Sequence, residues 1–237
     1  TDLFTGPQGS TLVLKIKRAG AEEQELRLKR MQYRYVKDTS TIRKLNDSTC
    51  YINIGATEMK DIKAQSGELL KAKGIICDLR GYPRNNHELI NYLLTVKDTS
   101  KWMFVPRITQ PDFQNVSYEG MGWNMSPSNP HITAKVVFLT GGGAISYAES
   151  YMGFIKNYKL ATIVGQPTAG ANGNVNTFKL PGGVSIRFTG MKVRQQDGSP
   201  LQGKGIAPDI LVSQTIKGIA EGRDEYLEKA LEVLSMK

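Results

Sequence analysis

Residues 135–150, KVVFLTGGGAISYAES, contain the pattern that decides the fold. The apolar run up to Thr140 is typical of a buried strand, and the three glycines after it allow the backbone to turn sharply. Ser146 then opens an amphipathic segment. We predict a strand that ends near Thr140 and a helix over roughly residues 146–158 that has Ser146 at its first turn.

Apolar strand-like runs and amphipathic helix-like runs alternate on both sides of this segment. Since parallel strands need a crossover between them, the alternation favours an α/β fold with a parallel sheet. In chain order the predicted elements are strand 51–54, helix 58–73, strand 74–81, helix 87–96, strand 160–165, strand 209–213 and helix 221–237.

Turn signals predict three hairpin-like pairs. Residues 11–30 alternate apolar and polar positions on both sides of Ala19-Gly20-Ala21, and further turns are indicated at Pro181-Gly182-Gly183 and Asp197-Gly198. The polar segment 106–130 is expected to be a long loop. Because about 30 residues are too few for an independent core, the first hairpin either packs on another part of the protein or ends a domain that starts upstream.

Composition excludes several classes of protein. A chain of 237 residues with 40% hydrophobic content can bury a full core. No stretch approaches the roughly 20 apolar residues of a membrane helix, and the N-terminus lacks the pattern of a signal peptide. Cys50 and Cys77 lie in apolar runs that favour free, buried thiols. The two histidines and two cysteines have no zinc-site spacing, so we predict no metal and no cofactor.

The formal charge of +9 could favour an anionic partner such as nucleic acid. The basic residues are scattered among acidic ones, however, and no run of them is interleaved with aromatic residues. A solvated surface explains this pattern better, so we predict no nucleic-acid binding.

Ser146 has two interpretations on these grounds. At a helix N-terminus, free N–H groups and the helix dipole stabilise a developing oxyanion, so the serine could be the nucleophile of an acyl transfer. Ser146 and Glu149 also have the S-x-x-E spacing of a capping box, which would make the serine an ordinary helix cap. Spacing alone favours the cap, so the accompanying motifs decide.

Four motifs accompany the serine, in the order GIICDLRGYP (74–83), TGGGAISYAES (140–150), ATIVGQPTAGANGNV (161–175) and GKGIAPDI (203–210). Together they resemble the C-terminal processing peptidases, a family of tail-specific serine proteases, over essentially all of residues 50–237. Residues 4–20 also resemble the end of the PDZ domain that precedes the protease core in that family.

This resemblance implies a crotonase-like or ClpP-like core of repeated β-β-α units. It implies that Ser146 is the nucleophile and that the amide N–H of Tyr147 is half of the oxyanion hole. It further implies the C-terminal part of a PDZ-like domain at 1–34 and the protease domain at 35–237. Peptide or protein substrates recognised through free C-termini, and an extracytoplasmic location in the bacterial periplasm or cell envelope, are also implied.

The residues that would activate Ser146 in such enzymes are missing. A typical member has a lysine just after the G-x-P-T-x-G motif as the general base, but Ala171 and Asn172 stand there. Neither side chain can take a proton from a serine hydroxyl. The related tricorn-type peptidases use a histidine and a glutamate at places that Asn53 and Gln202 occupy here.

Three other residues are candidates for the general base: Lys192, His87 and His131. We favour Lys192 because it follows the loop region that would face Ser146. A lysine base would need to be desolvated, because burial lowers the pKa of its ammonium group towards working pH.

A second departure from the family lies directly after the DLR motif. The family commonly has N-P-G-G there, whereas this chain has Tyr82-Pro83-Arg84-Asn85. A bulkier residue therefore provides the amide that a glycine would contribute to the oxyanion hole.

These observations predict a serine-type endopeptidase that cleaves substrates near their C-termini through an acyl-enzyme on Ser146. The alternative is a catalytically impaired pseudoenzyme that keeps the fold and binds peptides. An acyl-CoA enzyme of the crotonase type is disfavoured, because the DLR and G-x-P-T-x-G signatures indicate the peptidase branch.

Overall fold

The computed structural model describes residues 4–18, 20–31 and 41–236. The chain divides into two compact units, Thr1–Asp38 and Thr39–Lys237. The domain boundary predicted between residues 34 and 35 lies outside the described residues. The assignment of the first unit to a PDZ-like domain therefore stays a prediction.

The first unit contains an antiparallel hairpin of β1 (Thr11–Ile16) and β2 (Gln24–Lys29). Leu12, Leu14 and Ile16 are half-buried while the residues between them are exposed. The alternating sequence therefore forms the predicted pair of strands, but only β1 alternates in burial, because all six residues of β2 are exposed.

The second unit combines strands and helices. Its strands are β3 (Ile42–Asn46), β4 (Thr49–Asn53), β5 (Gly74–Asp78), β6 (Met103–Arg107), β7 (Ser117–Met121), β8 (Lys135–Thr140), β9 (Thr162–Gly165), β10 (Val175–Lys179), β11 (Ser185–Thr189), β12 (Lys192–Val193) and β13 (Ile210–Leu211). Its helices are α1 (Met59–Ala64), α2 (Ser66–Lys71), α3 (Tyr147–Asn157), α4 (Ile216–Ala220) and α5 (Glu225–Ser235), and a 3₁₀ helix covers His87–Tyr92.

The main sheet has the strand order β13-β9-β8-β5-β4-β3. Every neighbouring pair from β13 to β4 is parallel, and β3 joins β4 antiparallel. The carboxyl ends of β5 and β8 therefore lie side by side, with Asp78 opposite Leu139. This edge carries the loops that follow the DLR and TGGG motifs.

Both faces of the main sheet are covered. On β5, Ile75 and Cys77 belong to a core that includes Tyr151 and Phe154 of α3. Ile76, between them, belongs to a second core that includes residues of α5. Because helices cover both faces, the central strands are continuously apolar rather than alternating. This confirms the α/β class predicted from the sequence.

The DLR motif ties β5 to the C-terminal helix. The Arg80 guanidinium bonds both carboxylate oxygens of Asp78, at 3.0 and 2.6 Å, and both oxygens of Asp224, at 2.9 and 2.8 Å. Asp224 is the N-cap of α5, and its carboxylate also accepts from Leu227 N–H. The Tyr51 hydroxyl donates to Asp78 at 2.7 Å, and burial together with the Asp78 carboxylate raises the pKa of Tyr51.

Two predicted helices differ from the structure. The segment 58–73 forms two short helices, because the backbone of Gln65 leaves helical geometry between α1 and α2 (φ −104°, ψ 12°). The segment 87–96 forms a 3₁₀ helix that ends at Tyr92. Apolar spacing predicts a helical face in both segments, but it does not determine where the hydrogen bonding is interrupted.

The prediction of a long loop at residues 106–130 is wrong in part. It contains the end of β6 and all of β7, which pair antiparallel in a three-stranded sheet of order β12-β6-β7. Residues of both strands are half-buried or exposed. A pair of strands that buries few side chains leaves a weak apolar pattern in the sequence.

Several local predictions are confirmed. The turn at Pro181-Gly182-Gly183 joins β10 to β11, and Arg194 forms a bridge with Pro200 across the turn at Asp197-Gly198. Both cysteines are buried and free.

Residues 4–18, 20–31 and 41–236 contain no helix that is long and apolar enough to cross a bilayer. The same residues contain no cluster of His, Cys, Asp or Glu side chains placed to hold a metal ion.

We expect Arg80→Ala to lower the free energy of unfolding by about 3 kcal/mol, because it leaves the buried Asp78 carboxylate without its cation. Arg223→Ala is the matched control, since it removes an exposed ion pair with Glu228. The control should change stability by less than about 1 kcal/mol. Urea denaturation followed by fluorescence measures both, and equal losses would contradict the structural role of Arg80.

Candidate active site

Ser146 lies where the sequence predicts it, between the end of β8 at Thr140 and the first residue of α3. Its backbone has φ 57° and ψ −111°. This is a left-handed conformation that residues other than glycine rarely adopt. Such strain typically costs about 1–3 kcal/mol and concentrates at functional sites. The sequence gives no signal of it.

Glu149 anchors the turn that carries Ser146. The side chain of Glu149 is fully buried, and its carboxylate accepts four hydrogen bonds. The donors are Ser146 N–H at 3.1 Å, Thr168 Oγ1 at 2.7 Å, Gly170 N–H at 2.6 Å and Ala171 N–H at 3.0 Å. The bond to Ser146 is the capping interaction expected from the S-x-x-E spacing. The other three connect the helix to the G-x-P-T-x-G segment.

That segment is in turn supported by the GKG motif. Gly170 and Gly205 both have left-handed φ angles, at 71° and 72°. A Cβ on Gly205 would lie 2.4 Å from the Thr168 carbonyl oxygen, so only glycine permits the two loops to touch. Gly203 N–H donates to the Gly170 carbonyl at 2.7 Å, and Ile206 N–H donates to Thr168 Oγ1 at 2.7 Å.

The DLR loop also contacts the turn before Ser146. A Cβ on Gly143 would lie 2.6 Å from the carbonyl oxygen of Arg80, which explains why this position of the glycine run has no side chain. Further along the loop, the Tyr82 ring lies 5.9 Å from the Tyr147 ring, centroid to centroid. The first, second and third motifs therefore meet around Ser146.

Tyr147 N–H, directly after Ser146, has no acceptor in the part of the chain that the structure describes, and the same holds for Asn85 N–H in the loop after the DLR motif. Tyr147 is the first residue of α3, where N–H groups point out of the helix. Asn85 has φ 47°, so it keeps the left-handed conformation that glycine favours. Arg84 N–H, in contrast, donates to the Ile54 carbonyl at 3.3 Å.

The two positions at which a lysine was expected have structural roles. Ala171 is exposed, and its carbonyl accepts from Ser146 N–H at 3.0 Å, so its backbone lies directly beside the serine. Asn172 is buried, and its Nδ2 donates to Ser150 Oγ at 3.0 Å. Across residues 4–18, 20–31 and 41–236, no side chain hydrogen-bonds Ser146 Oγ.

The two tricorn-type positions also form local structure. Asn53 Oδ1 accepts from Ala56 N–H at 3.1 Å. Gln202 Nε2 donates to the carbonyls of Asn172 and Met191, at 3.3 and 3.4 Å. Both side chains are neutral amides, so neither can act as a proton acceptor for the serine.

The three candidate bases occupy different surroundings. Lys192 is exposed on β12, and its Nζ lies 5.7 Å from the centroid of the Tyr118 ring. His87 Nδ1 lies 2.6 Å from the Tyr147 hydroxyl, and burial lowers the pKa of this histidine. His131 is half-buried in the segment before β8. The structure thus places His87 against Tyr147, the residue that follows Ser146. The assignment of Lys192 as the general base stays a prediction.

Comparison with known proteins identifies the family from these motifs. Residues 48–212, more than half of the chain, match peptidase family S41. The chain belongs to peptidase family S41. The resemblance to C-terminal processing peptidases is therefore confirmed for the second unit.

Relatives of this S41 chain are proteases by name. It is 27% identical to a probable CtpA-like serine protease of Staphylococcus haemolyticus over 89% of its own length and 42% of the relative's. It is 24% identical to a carboxy-terminal-processing protease of Bartonella bacilliformis over 95% of its own length and 52% of the relative's. The chain thus spans about half the length of the curated relatives it matches.

Solved structures support the S41 fold. A crystal structure from Parabacteroides merdae aligns with 83% of this chain, and the alignment covers 64% of the Parabacteroides chain, with a TM-score of 0.69 and 21% identity. The photosystem II D1 C-terminal processing protease aligns with 98% of this chain, and the alignment covers 61% of that protease, with a TM-score of 0.55 and 17% identity. At these identities the likeness shows the fold alone.

We expect Glu149→Gln to lower the free energy of unfolding by about 3 kcal/mol, because the amide nitrogen cannot accept the hydrogen bonds that the carboxylate oxygens accept. Glu232→Gln is the control, because that carboxylate forms an exposed pair with Lys229. Thermal and urea unfolding measure both variants. A loss at Glu149 that does not exceed the loss at Glu232 would show that the buried carboxylate is not an anchor.

The strain at Ser146 predicts an unusual order of stability. Ser146→Gly should be more stable than Ser146→Ala by about 1–2 kcal/mol, because glycine adopts the left-handed conformation without strain. Ser150 lies in the same helix. There Ser150→Gly should be less stable than Ser150→Ala by about 1 kcal/mol, because glycine disfavours helix interiors. The same order at both sites, measured by urea denaturation, would contradict strain at Ser146.

Proposed function

We propose that this S41 chain is a serine endopeptidase whose nucleophile is Ser146. The observation that carries the proposal is the strained turn at Ser146, which a buried carboxylate fixes at the start of α3. A serine in a strained strand-to-helix turn exposes its hydroxyl at the top of a sheet, as nucleophilic serines do in other hydrolases. The half-burial of Ser146 agrees with such a position.

In the proposed reaction, Ser146 Oγ attacks the carbonyl carbon of a peptide bond and forms a tetrahedral oxyanion. Tyr147 N–H, which has no acceptor among the described residues, would donate to that oxyanion. The C–N bond then breaks, the leaving amine takes the proton that the serine gave up, and an acyl-enzyme remains. Water hydrolyses the ester and restores the serine.

The proton from Ser146 must pass through a base, and Lys192 is the residue we propose. A lysine accepts a proton only in its neutral form, which desolvation favours. Lys192 is exposed in this structure, so the proposal requires a bound substrate to cover it. His87 is the rival, because it contacts the Tyr147 side chain and burial already lowers its pKa.

A specific observation favours the second candidate, a pseudoenzyme that binds peptides without cleaving them. In the described part of the chain no side chain hydrogen-bonds Ser146 Oγ, and Ala171 occupies the place of the family's lysine. A fold with an intact groove and no base would retain binding and lose turnover.

The relatives' names support peptides or proteins as substrates, and we propose that cleavage occurs near their C-termini. We also propose an extracytoplasmic location in the bacterial envelope, which rests on the family resemblance alone. Neither proposal depends on which residue is the base.

A fluorophosphonate probe tests the mechanism, because it labels only serines that are activated for attack. We expect labelling that Ser146→Ala abolishes and that Lys192→Ala slows by about 100- to 10,000-fold, the usual contribution of a positioned base. Lys179→Ala is the control, because Lys179 is also an exposed strand lysine. Mass spectrometry of the labelled peptide identifies the residue.

The outcomes separate the candidates. Labelling that survives Lys192→Ala but falls in His87→Gln would assign the base to His87. If no labelling occurs while peptides still bind, the pseudoenzyme is favoured. Ala171→Lys is then the informative variant, because Ala171 is exposed and its backbone touches Ser146. Labelling gained in this variant would show that only the base is missing.

A further inference from the structure

A cavity of about 740 Å³ opens beside the loop that follows the DLR motif. Its described lining residues come from two segments, the start of α1 and the segment that replaces N-P-G-G. They are Glu58, Met59, Lys60, Tyr82, Pro83, Arg84 and Asn85. The proposed mechanism uses none of their side chains.

Two cations and one carboxylate line this cavity. Lys60 Nζ lies 2.8 Å from one oxygen of Glu58, while an Arg84 guanidinium nitrogen lies 3.8 Å from the other oxygen. The longer distance exceeds that of a charge-assisted hydrogen bond, which is about 2.7–2.9 Å. Within the described residues, the Arg84 side chain makes no hydrogen bond. Its planar set of donors is therefore free to bind a second carboxylate.

The cavity adjoins the candidate active site through Tyr82. This ring lines the cavity and also lies 5.9 Å from the ring of Tyr147, the residue after the nucleophile. Arg84 is two positions further along the same loop. A peptide whose scissile bond lies at Ser146 could therefore place a nearby residue against Arg84.

We propose that Arg84, assisted by Lys60, forms a subsite for a carboxylate of the peptide substrate, close to the scissile bond. The inference rests on the proposed function, because it assigns a specificity to that site. A guanidinium binds a carboxylate in a bidentate manner, which gives both orientation and affinity. The formal charge of +9 on the chain attracts the same acidic peptides at longer range.

The carboxylate could come from an acidic side chain or from the free C-terminus of the substrate. Four peptides of one sequence distinguish these sources, because they combine Glu or Gln at one position with a C-terminal acid or amide. Their affinities for the Ser146→Ala variant, measured by fluorescence anisotropy, do not require turnover. These binding measurements therefore test the carboxylate subsite alone. The fluorophosphonate probe tests the peptidase activity, so the two proposals can fail independently.

We expect the peptides that carry the recognised carboxylate to bind about tenfold more tightly than their amides, and we expect Arg84→Gln to remove this difference. Lys63→Gln is the control, because Lys63 is exposed and is paired with Glu88 at 2.7 Å outside this cavity. Glu58→Gln should strengthen binding of the same peptides, because it removes the competing carboxylate. A gain of affinity cannot arise from misfolding.

Equal binding of acids and amides would overturn the proposal, as would an Arg84→Gln variant that weakens both equally. Absence of binding for all four peptides would also overturn it. A difference that responds only to the C-terminal group identifies the free C-terminus as the ligand, and one that responds only to Glu identifies an acidic side chain.

Discussion

The buried carboxylate of Glu149 is the interaction on which the candidate site depends. A carboxylate removed from water destabilises a protein unless donors replace its hydration. Here the donors come from the turn at Ser146 and from the loop between Thr168 and Ala171. Because they belong to two separate segments, the carboxylate is satisfied only when both segments hold their native positions. One side chain therefore couples the backbone geometry of Ser146 to the loop at which the family resemblance predicts a lysine base.

The four motifs extend this dependence across the sheet. Arg80 links the ends of β5 and α5 through two carboxylates, and its carbonyl oxygen leaves no room for a side chain on Gly143. Gly205 fits against Thr168 for the same steric reason. The motifs thus define contacts that hold the loops around Ser146 in place. Catalysis also requires a base that takes the serine proton, and the motif contacts do not provide one. A chain can match all four motifs and still have Ala171 in the place of the lysine.

The sequence predicts features that local patterns determine. The strand, glycine turn and helix around Ser146, the hairpin β10–β11 and the free cysteines all follow from apolar spacing and turn residues. Patterns do not show the left-handed backbone of Ser146, the three additional donors to Glu149 or the cations that face Glu58. Each of these depends on segments that are distant in sequence, so the partner is known only when the fold is known. The S-x-x-E spacing indicated Glu149, but only as a local cap.

The strain at Ser146 bears on the choice between peptidase and binding module. A left-handed serine persists only where surrounding contacts outweigh its cost of about 1–3 kcal/mol, and the buried carboxylate of Glu149 provides such contacts. A module that only binds peptides gains nothing from a strained serine, because glycine would adopt the same backbone without the cost. A nucleophile needs both the hydroxyl and the turn that presents it. The backbone therefore weighs towards the peptidase, and the missing lysine places the remaining question on the base rather than on the serine.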